Sequence, residues 1–278
     1  MPDMVDLIKK RWKFILFFTL LAVIIALLAV FFSPKKYLSA ATALPVNSAV
    51  ADKGRLFNPN IEILYSDFGS PDELDRMEGT ALLDTIYIST AQTLNLSQHY
   101  GYNSDADLYR AAATLKKNSV ISRTGYGELR VKVWDTNKDM AAAMANTLME
   151  KIQELHQHLQ NESNNLVLQK LLDDHASKEQ LYVHFGDSNS KTNAMLPELI
   201  QVKKSALLDQ LREEEKMIGQ YQLAVSTNPQ VLMVVENARP SHLPDKPRIL
   251  PTVLFTLAGA LLFSFLISLF AESRKTSA

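Results

Sequence analysis

Residues 238–270 read ARPSHLPDKPRILPTVLFTLAGALLFSFLISLF, and this stretch decides the fold. It opens with four closely spaced prolines, Pro240, Pro244, Pro247 and Pro251. Proline fixes φ at about −65° and turns the residue before it away from helix, so this part is predicted to be extended and semi-rigid. The uncharged run over residues 249–271 predicts a transmembrane helix. Pro251 falls in its first turn, where a missing N–H costs little.

A second apolar run lies near the other end of the chain. Residues 14–32 read FILFFTLLAVIIALLAVFF, with Thr19 as the one polar side chain. At a rise of about 1.5 Å per residue this run nearly spans a hydrocarbon core of about 30 Å. A cleaved signal peptide is the alternative, with Ala41 and Ala43 in an A-x-A-like site. The run is longer than a signal peptide needs and ends well before that site, which favours a retained anchor.

Basic residues next to the two apolar runs suggest the orientation. Four Lys or Arg residues precede the first run and two follow it directly, which favours a cytoplasmic N-terminus. The second run is weakly contrary, but the first helix usually dominates. We therefore expect cytoplasmic tails at 1–13 and 272–278. Residues 33–248 are expected to form a periplasmic domain outside the bacterial inner membrane.

Small residues recur at helical spacing in both apolar runs. Thr19, Ala22, Ala26, Ala29 and Ser33 follow one another at three- and four-residue steps in the first run, and Ala260, Ser264 and Ser268 recur at every fourth position in the second. Such spacing lets helix backbones approach closely in lipid, within one chain or between subunits. The alternative is that Ala and Ser are simply common in membrane helices.

The region between the anchors predicts an α/β (α+β) domain. Alternating apolar residues and breakers predict strands at 37–46, 119–123, 128–134 and 230–238, and helices at 71–98, 105–117, 137–185 and 197–225. Four strands and two short helices are expected to form a membrane-proximal base. The last two helices should pack antiparallel as a long hairpin, about 137–225, that projects from this base. Residues 47–69 are predicted to be irregular.

Capping patterns set the expected helix starts. Ser70, Ser104 and Thr136 each precede an acidic residue in the expected first turn, which is typical of a helix N-terminus. No Gly or Pro interrupts residues 128–185. A helix over 137–185 would be about 70 Å long and could not be buried along its length in a domain of this size. The acidic run at 213–215 is predicted to be a solvated face.

The residue types for a catalytic or metal centre do not form a recognisable set. The chain has a net charge of −1 and no cysteine, which argues against nucleic-acid binding and excludes thiolate chemistry. No phosphate-binding loop of the type G-x-x-x-x-G-K-[ST] occurs. His175 and Glu179 have the spacing to share a metal, but a solvated pair is the favoured interpretation. The sequence predicts no enzyme, no metal site and no cofactor.

Lys116, Lys117 and Arg123 form a local basic group, with Tyr126 nearby. They could contact an anionic glycan or a lipid. A solvated loop edge is the plainer interpretation, and the sequence favours it.

The arrangement resembles the Wzz-type polysaccharide co-polymerases, or chain-length determinants. Three stretches carry the resemblance: KKRWKFILFF with the following YLSAATALPV, then ELRVKVWDTNKDMAAAMANTLMEKIQEL, and VVENARPSHLPDKPRILPTVLFTLAGALL. The four prolines are similar to the family's proline-rich segment before the second anchor. Together the three stretches extend the resemblance over nearly the whole chain.

The resemblance implies a regulator without catalytic residues. Such proteins set the modal length of a surface polysaccharide, an O-antigen, capsule or exopolysaccharide, made by a membrane polymerase on a lipid-linked carrier. They form ring-like homo-oligomers in which the long helices line or crown a bell. The short tail at 272–278 lacks a kinase domain and a tyrosine cluster, which argues against the fused-kinase subclass.

Two other functions are alternatives to chain-length control. A membrane adaptor for a separate cytoplasmic tyrosine kinase in polysaccharide export is related to the preferred function. A two-anchor sensor receptor belongs to another class, and it would need an internal output module for which residues 272–278 give no room.

Overall fold

The computed structural model describes residues 4–46, 71–102, 107–187 and 197–276. The helices are α1 Met4–Phe32, α2 Pro71–Ala81, α3 Asp84–Thr93, α4 Leu96–His99, α5 Asp107–Lys117, α6 Lys138–Asp187, α7 Pro197–Thr227 and α8 Ile249–Thr276. The strands are β1 Lys36–Pro45, β2 Ser119–Arg123, β3 Leu129–Asp135, β4 Leu232–Glu236 and β5 Pro244–Lys246.

The chain divides into two compact units. The first, called the terminal unit, comprises Met1–Leu38, Trp134–Ala141 and Pro240–Ala278. The second, called the central unit, comprises Ser39–Val133 and Ala142–Arg239. The terminal unit is therefore assembled from three pieces that are far apart in sequence.

Two packed helices dominate the terminal unit. Trp12–Phe32 in α1 and Ile249–Phe270 in α8 are each long and apolar enough to cross a membrane. The two helices are in contact, and the rings of Phe18 and Phe263 lie 5.9 Å apart between centroids. The apolar runs predicted at 14–32 and 249–271 thus lie inside one helix pair.

The four predicted strands form a continuous sheet path in the order β2-β3-β1-β4. Strands β1 and β4 are antiparallel, with Ala43 opposite Val234 and a register shift next to it. Strands β2 and β3 are also antiparallel, and a short turn over residues 124–128 joins them. Gly127 lies in this turn at φ 77°, a conformation that favours glycine. The structure adds a fifth strand, β5, which the sequence did not predict.

The core of the central unit covers one face of β3. Leu129, Val131 and Val133 are fully buried, as their alternation predicted. The first turns of α6 contribute Met144, Leu148 and Ile152 to the core, while α5 contributes Leu115 and α4 contributes Leu96. Fully burying a Leu or Ile side chain stabilises a fold by about 1.5–3 kcal/mol. This contact fixes the root of α6 on the sheet.

The long helical hairpin is confirmed. Helix α6 has 50 residues, or about 75 Å at 1.5 Å per residue, and beyond Ile152 its described side chains are half-buried or exposed. Helix α7 packs against it antiparallel. Lys178 contacts Glu214, while farther along α6 the ring of Tyr182 lies 4.8 Å from the ammonium nitrogen of Lys204, which is earlier in α7.

Glu214 contradicts the predicted solvated face at 213–215. Its side chain is buried between the two long helices, where it contacts Lys178, and the ring of His175 lies 3.7 Å away. A buried carboxylate needs a cationic or hydrogen-bonding partner. The partners of Glu214 are on α6, so the sequence of residues 213–215 alone could not predict its burial.

The predicted helix 71–98 is wrong as a single element. It breaks into α2, α3 and α4. Leu83 is extended, with φ −67° and ψ 140°, and Asn95 is left-handed, with φ 49° and ψ 45°. Asn tolerates the left-handed conformation better than most residues. The breaks let α3 bury Ile86 and Tyr87 and let α4 bury Leu96, so packing overrides local propensity.

The start of α6 also differs from the prediction. Asn137, and not Thr136, is the cap, since its side-chain oxygen accepts from the Asp139 amide at 2.9 Å and from Met140 at 3.3 Å. Asp135 fixes this cap by accepting from the Asn137 amide at 2.8 Å. The predicted caps at Ser70 and Ser104 and the irregular stretch 47–69 lie outside the described residues.

Candidate functional site

The four prolines belong to a segment of the terminal unit that we call the proline joint, residues 240–251. Its middle forms β5, which pairs antiparallel with the start of β1, with Lys36 opposite Lys246 and Tyr37 opposite Pro244. Proline is tolerated in an edge strand because the missing N–H need not face a partner. The middle of the joint is therefore extended and paired into a sheet, whereas its last residues, 249–251, already belong to α8.

Trp134 clamps the joint from the end of β3. Its indole Nε1 donates to Asp245 Oδ2 at 2.8 Å, and the Lys246 ammonium lies 4.1 Å from the centre of the ring. Arg248 donates to the other Asp245 oxygen at 3.0 Å. The hydrogen bond from Trp134 lowers the pKa of Asp245, with Arg248 as a further cause. Asp245 is thus held as a carboxylate that ties β5 to β3.

Sequence reasoning did not find this clamp. Trp134 and Asp245 are 111 residues apart, and only folding brings them together. Trp134 lies on the face of β3 opposite its buried residues, and its side chain is half-buried. The sequence signal that was available is an aromatic residue near the end of a strand, on its less buried face. That signal does not identify Asp245 as the partner.

In the central unit, the chain just before the joint is also fixed. The Asn146 side chain binds the backbone of Ala238 twice, since Nδ2 donates to the carbonyl at 3.1 Å and Oδ1 accepts from the amide at 2.7 Å. The Ser39 hydroxyl donates to the carbonyl of Arg239 at 2.9 Å. These bonds satisfy backbone groups of a segment that has left β4.

The small residues Ala22 and Ala26 on α1 and Ala260, Ser264 and Ser268 on α8 are together called the small-residue stripe. Its α8 members are the more deeply buried ones. Ala260 is 8% exposed, and Ser264 and Ser268 are fully buried, whereas Ala22 and Ala26 on α1 are half-buried. The serine hydroxyls donate to carbonyls of their own helix, Ser264 to Leu261 at 3.0 Å and Ser268 to Ser264 at 2.9 Å. Small size, and not a hydrogen bond between helices, is what these positions supply.

The structure separates the three predicted basic residues. Lys116 pairs with Asp84 at 2.7 Å, and Arg123 pairs with Asp75 at 2.6 Å. Lys117 has no ion-pair partner within the part of the chain that the structure describes. Lys116 and Lys117 line a groove between α3 and α5 to which Arg123 does not contribute. We call it the tyrosine groove, and its lining is Asp84, Tyr87, Ile88, Tyr109, Ala112, Ala113, Lys116 and Lys117.

The histidines form no metal site within the described ranges 4–46, 71–102, 107–187 and 197–276. His175 faces Glu214 on α7. His156 shares a hydrogen bond of 2.7 Å with the Thr80 hydroxyl. Burial, followed by the charge of Arg76, lowers the pKa of His156. These contacts join secondary-structure elements of the central unit.

Comparisons with known proteins agree with the resemblance. The model of the Wzz family, the chain length determinant protein, matches residues 2–69. This match confirms the predicted resemblance over that segment. No curated protein sequence matches the chain.

Several solved structures are similar at low identity. A full-length bacterial polysaccharide co-polymerase has 11% identity and a TM-score of 0.45, with 99% of this chain and 98% of that chain covered. A fragment of WzzB, the polysaccharide co-polymerase from Salmonella Typhimurium, has 12% identity and a TM-score of 0.34, covering 77% of this chain and 100% of the fragment. A mutant of the Shigella flexneri O-antigen chain-length regulator WzzBSF has 10% identity and a TM-score of 0.33, covering 76% and 100%.

Proposed function

We propose that this chain is a polysaccharide co-polymerase that regulates the chain length of a surface polysaccharide as an oligomeric membrane scaffold. The observation that carries the proposal is the match of residues 2–69 to the chain length determinant family. That segment contains the first apolar helix and the first strand, both of which the sequence resemblance had already singled out. The regulated glycan is one assembled on a lipid carrier.

The two apolar helices anchor the chain in the bacterial inner membrane. Residues 33–248 lie on the periplasmic side, and the segments 1–13 and 272–278 lie in the cytoplasm. Basic residues just before the first apolar run support this orientation because cytoplasmic flanks are enriched in Lys and Arg. The central unit therefore meets the growing glycan on the side where it is polymerised.

The chain acts as a regulator and not as an enzyme. Its contribution is a surface that several copies present together to the polymerase and to the lipid-linked glycan. Helices α6 and α7 supply most of that surface, and α6 alone is about 75 Å long at 1.5 Å per residue. Exposed apolar side chains on this hairpin, including Leu159, Leu166 and Val202, suit contact with neighbouring copies.

The proline joint gives this scaffold a defined connection to the membrane. Four prolines restrict the backbone, and the Trp134–Asp245 bond ties the joint to β3. A ring of subunits requires each copy to leave the membrane in the same direction. Inside the bilayer, the small-residue stripe lets α1 and α8 approach closely, which fixes the helix pair from which each copy leaves the membrane.

Deletion and complementation in the native host test the proposal. Loss of the gene should change the length distribution of one surface polysaccharide on a gel, and the wild-type gene should restore the modal length. An unaltered ladder for every surface glycan would refute the proposal. Particle size of the purified full-length protein in detergent should exceed that of a monomer.

A separate cytoplasmic kinase is the remaining partner in this proposal. An adaptor for such a kinase would retain it during purification through the cytoplasmic tails. If a tyrosine kinase co-purifies and the glycan is lost entirely in the deletion strain, the chain serves export through that kinase. A shifted ladder without a kinase supports direct length control.

A further inference from the structure

The tyrosine groove is an open cleft of about 440 Å³ in the central unit. Helices α3 and α5 pack against each other to form it. Its volume falls within the range of about 300–1,000 Å³ that is typical of small-ligand clefts.

The wall of the groove is apolar and carries an exposed aromatic ring. Tyr109 is 65% exposed, and it lines the groove together with Ile88, Ala112 and Ala113. An exposed tyrosine presents a flat apolar face together with a hydroxyl. The C–H face of a pyranose ring is the complementary surface, and alanines at the wall leave room for the ring to approach.

Charged groups lie at the edge of this wall. The Lys116 ammonium bonds Asp84 at 2.7 Å and lies 5.4 Å from the centre of the Tyr87 ring. The hydrogen bond with Asp84 raises the pKa of Lys116, and burial raises the pKa of Tyr87, so the first stays cationic and the second stays neutral. Among the described residues, the ammonium of Lys117 has no ion-pair partner.

The groove therefore carries one ion pair and one surplus cation. An ion pair offers both donors and acceptors to sugar hydroxyls. The surplus cation prefers an anionic substituent, and a carboxylate is one that a sugar can carry. The exposed ring and the surplus ammonium lie in one groove, and neither is needed by the core.

We propose that the tyrosine groove binds a sugar unit that bears a carboxylate. The sugar ring stacks on Tyr109, its carboxylate pairs with Lys117, and its hydroxyls bond the Asp84–Lys116 pair. This inference rests on the proposed function and deepens it, since the groove would then contact an acidic residue of the regulated glycan. Arg123, which pairs with Asp75 outside the groove, takes no part.

Saturation-transfer NMR and calorimetry on the full-length protein in nanodiscs of neutral lipid test the site. The acidic probe is a tetrasaccharide of alternating glucuronic acid and N-acetylglucosamine, and the neutral probe is an N-acetylglucosamine tetrasaccharide. We expect saturation transfer to the acidic probe in the wild type. Tyr109→Ala should weaken its binding about fivefold, because the aromatic face on which the sugar ring stacks is lost.

Three further variants separate the effect of charge from an effect on the fold. Lys117→Ala should weaken binding of the acidic probe and leave binding of the neutral probe unchanged. Tyr126→Ala is the matched control, since Tyr126 is 90% exposed in the β2–β3 turn and does not line the groove. Thermal unfolding of each variant shows whether the fold is kept, and Tyr109→Phe, which keeps the ring, should bind like the wild type.

Three results would overturn the inference. They are no saturation transfer to the acidic probe, equal binding by Tyr109→Ala and wild type, and capture of anionic lipid vesicles through Lys117 without binding of either sugar. The deletion ladder is independent of all three. A shifted ladder with no sugar binding would retain the proposed function and discard this site.

Discussion

Replacing Trp134 with phenylalanine should loosen the proline joint. The change removes the donor to Asp245 Oδ2, which lies 2.8 Å from the indole nitrogen, and keeps an aromatic face under Lys246. A hydrogen bond to a charged group contributes about 1.5–3 kcal/mol. Asp245 is partly open to water, which favours the lower end, about 1.5 kcal/mol. Opening of the joint should therefore become about tenfold more frequent.

Hydrogen exchange of the amides in residues 241–248 measures this opening in the full-length protein. Exchange should be about tenfold faster in Trp134→Phe than in the wild type near neutral pH. The bond to Trp134 depresses the pKa of Asp245. The stability that this bond gives to the joint is therefore fully present above the ordinary aspartate pKa of about 3.9. That contribution is lost as the pH falls through the lowered pKa. The ratio of the two rates should therefore approach one in strong acid.

Two comparisons make this prediction refutable. Asp245→Ala should accelerate exchange by a similar factor, and the double variant with Trp134→Phe should add little to it. Tyr126→Phe, far out on an exposed turn, should leave the rates unchanged. Wild-type rates in Trp134→Phe, or full additivity in the double variant, would show that the indole bond does not hold the joint.

Three other changes probe the core, the helix pair and the hairpin. Leu148→Ala should lower the free energy of unfolding by about 2–5 kcal/mol, measured as thermal unfolding in detergent, because the side chain is fully buried. Ala260→Leu combined with Ser264→Leu should separate α1 from α8 and reduce the particle size in detergent. Lys178→Met should lower the melting temperature more than the double variant with Glu214→Leu does, because the single change leaves a buried carboxylate without its cation.

Each of these changes has a control or a contrary outcome. Leu166→Ala should change stability little, because its side chain is 68% exposed. Leu262→Ala, on the exposed face of α8, should leave the particle size unchanged. If it reduces the particle size as much as the double leucine variant does, the small-residue stripe has no specific role in assembly. Hydrogen bonds with Asp174 and Glu214 raise the pKa of Lys178. The stability that the charged Lys178 gives to the fold should therefore be fully present below about pH 10.4, and it should be lost as the pH rises through the raised pKa.

Patterns within single segments predicted most of the architecture. The alternation of Leu129, Val131 and Val133 fixed the buried face of β3, and the unbroken run after it gave the long helix. The two apolar runs gave α1 and α8 because hydrophobic length is a direct physical requirement for crossing a bilayer.

Features that depend on partners far away in sequence were missed. Glu214 stands between two other glutamates, a sequence pattern that is typical of an exposed face. It is buried because α6 packs against it. The breaks beside Leu83 and at Asn95 accompany the burial of Ile86, Tyr87 and Leu96 by separate short helices. Likewise, Lys116 and Lys117 were predicted as a basic group, but the aromatic wall beside them comes from residues on two helices.

The β1–β5 pairing has a consequence for how the protein is made. The partners of Lys36 and Tyr37 are Lys246 and Pro244, so this contact cannot form until almost the whole chain has been synthesised. At about 5–20 residues per second, roughly 10–50 s pass between the synthesis of α1 and the synthesis of α8. Throughout that interval α1 lacks the helix that it contacts in the finished fold. Arrival of α8 therefore completes the helix pair, and a chain interrupted before residue 240 would lack both β5 and α8.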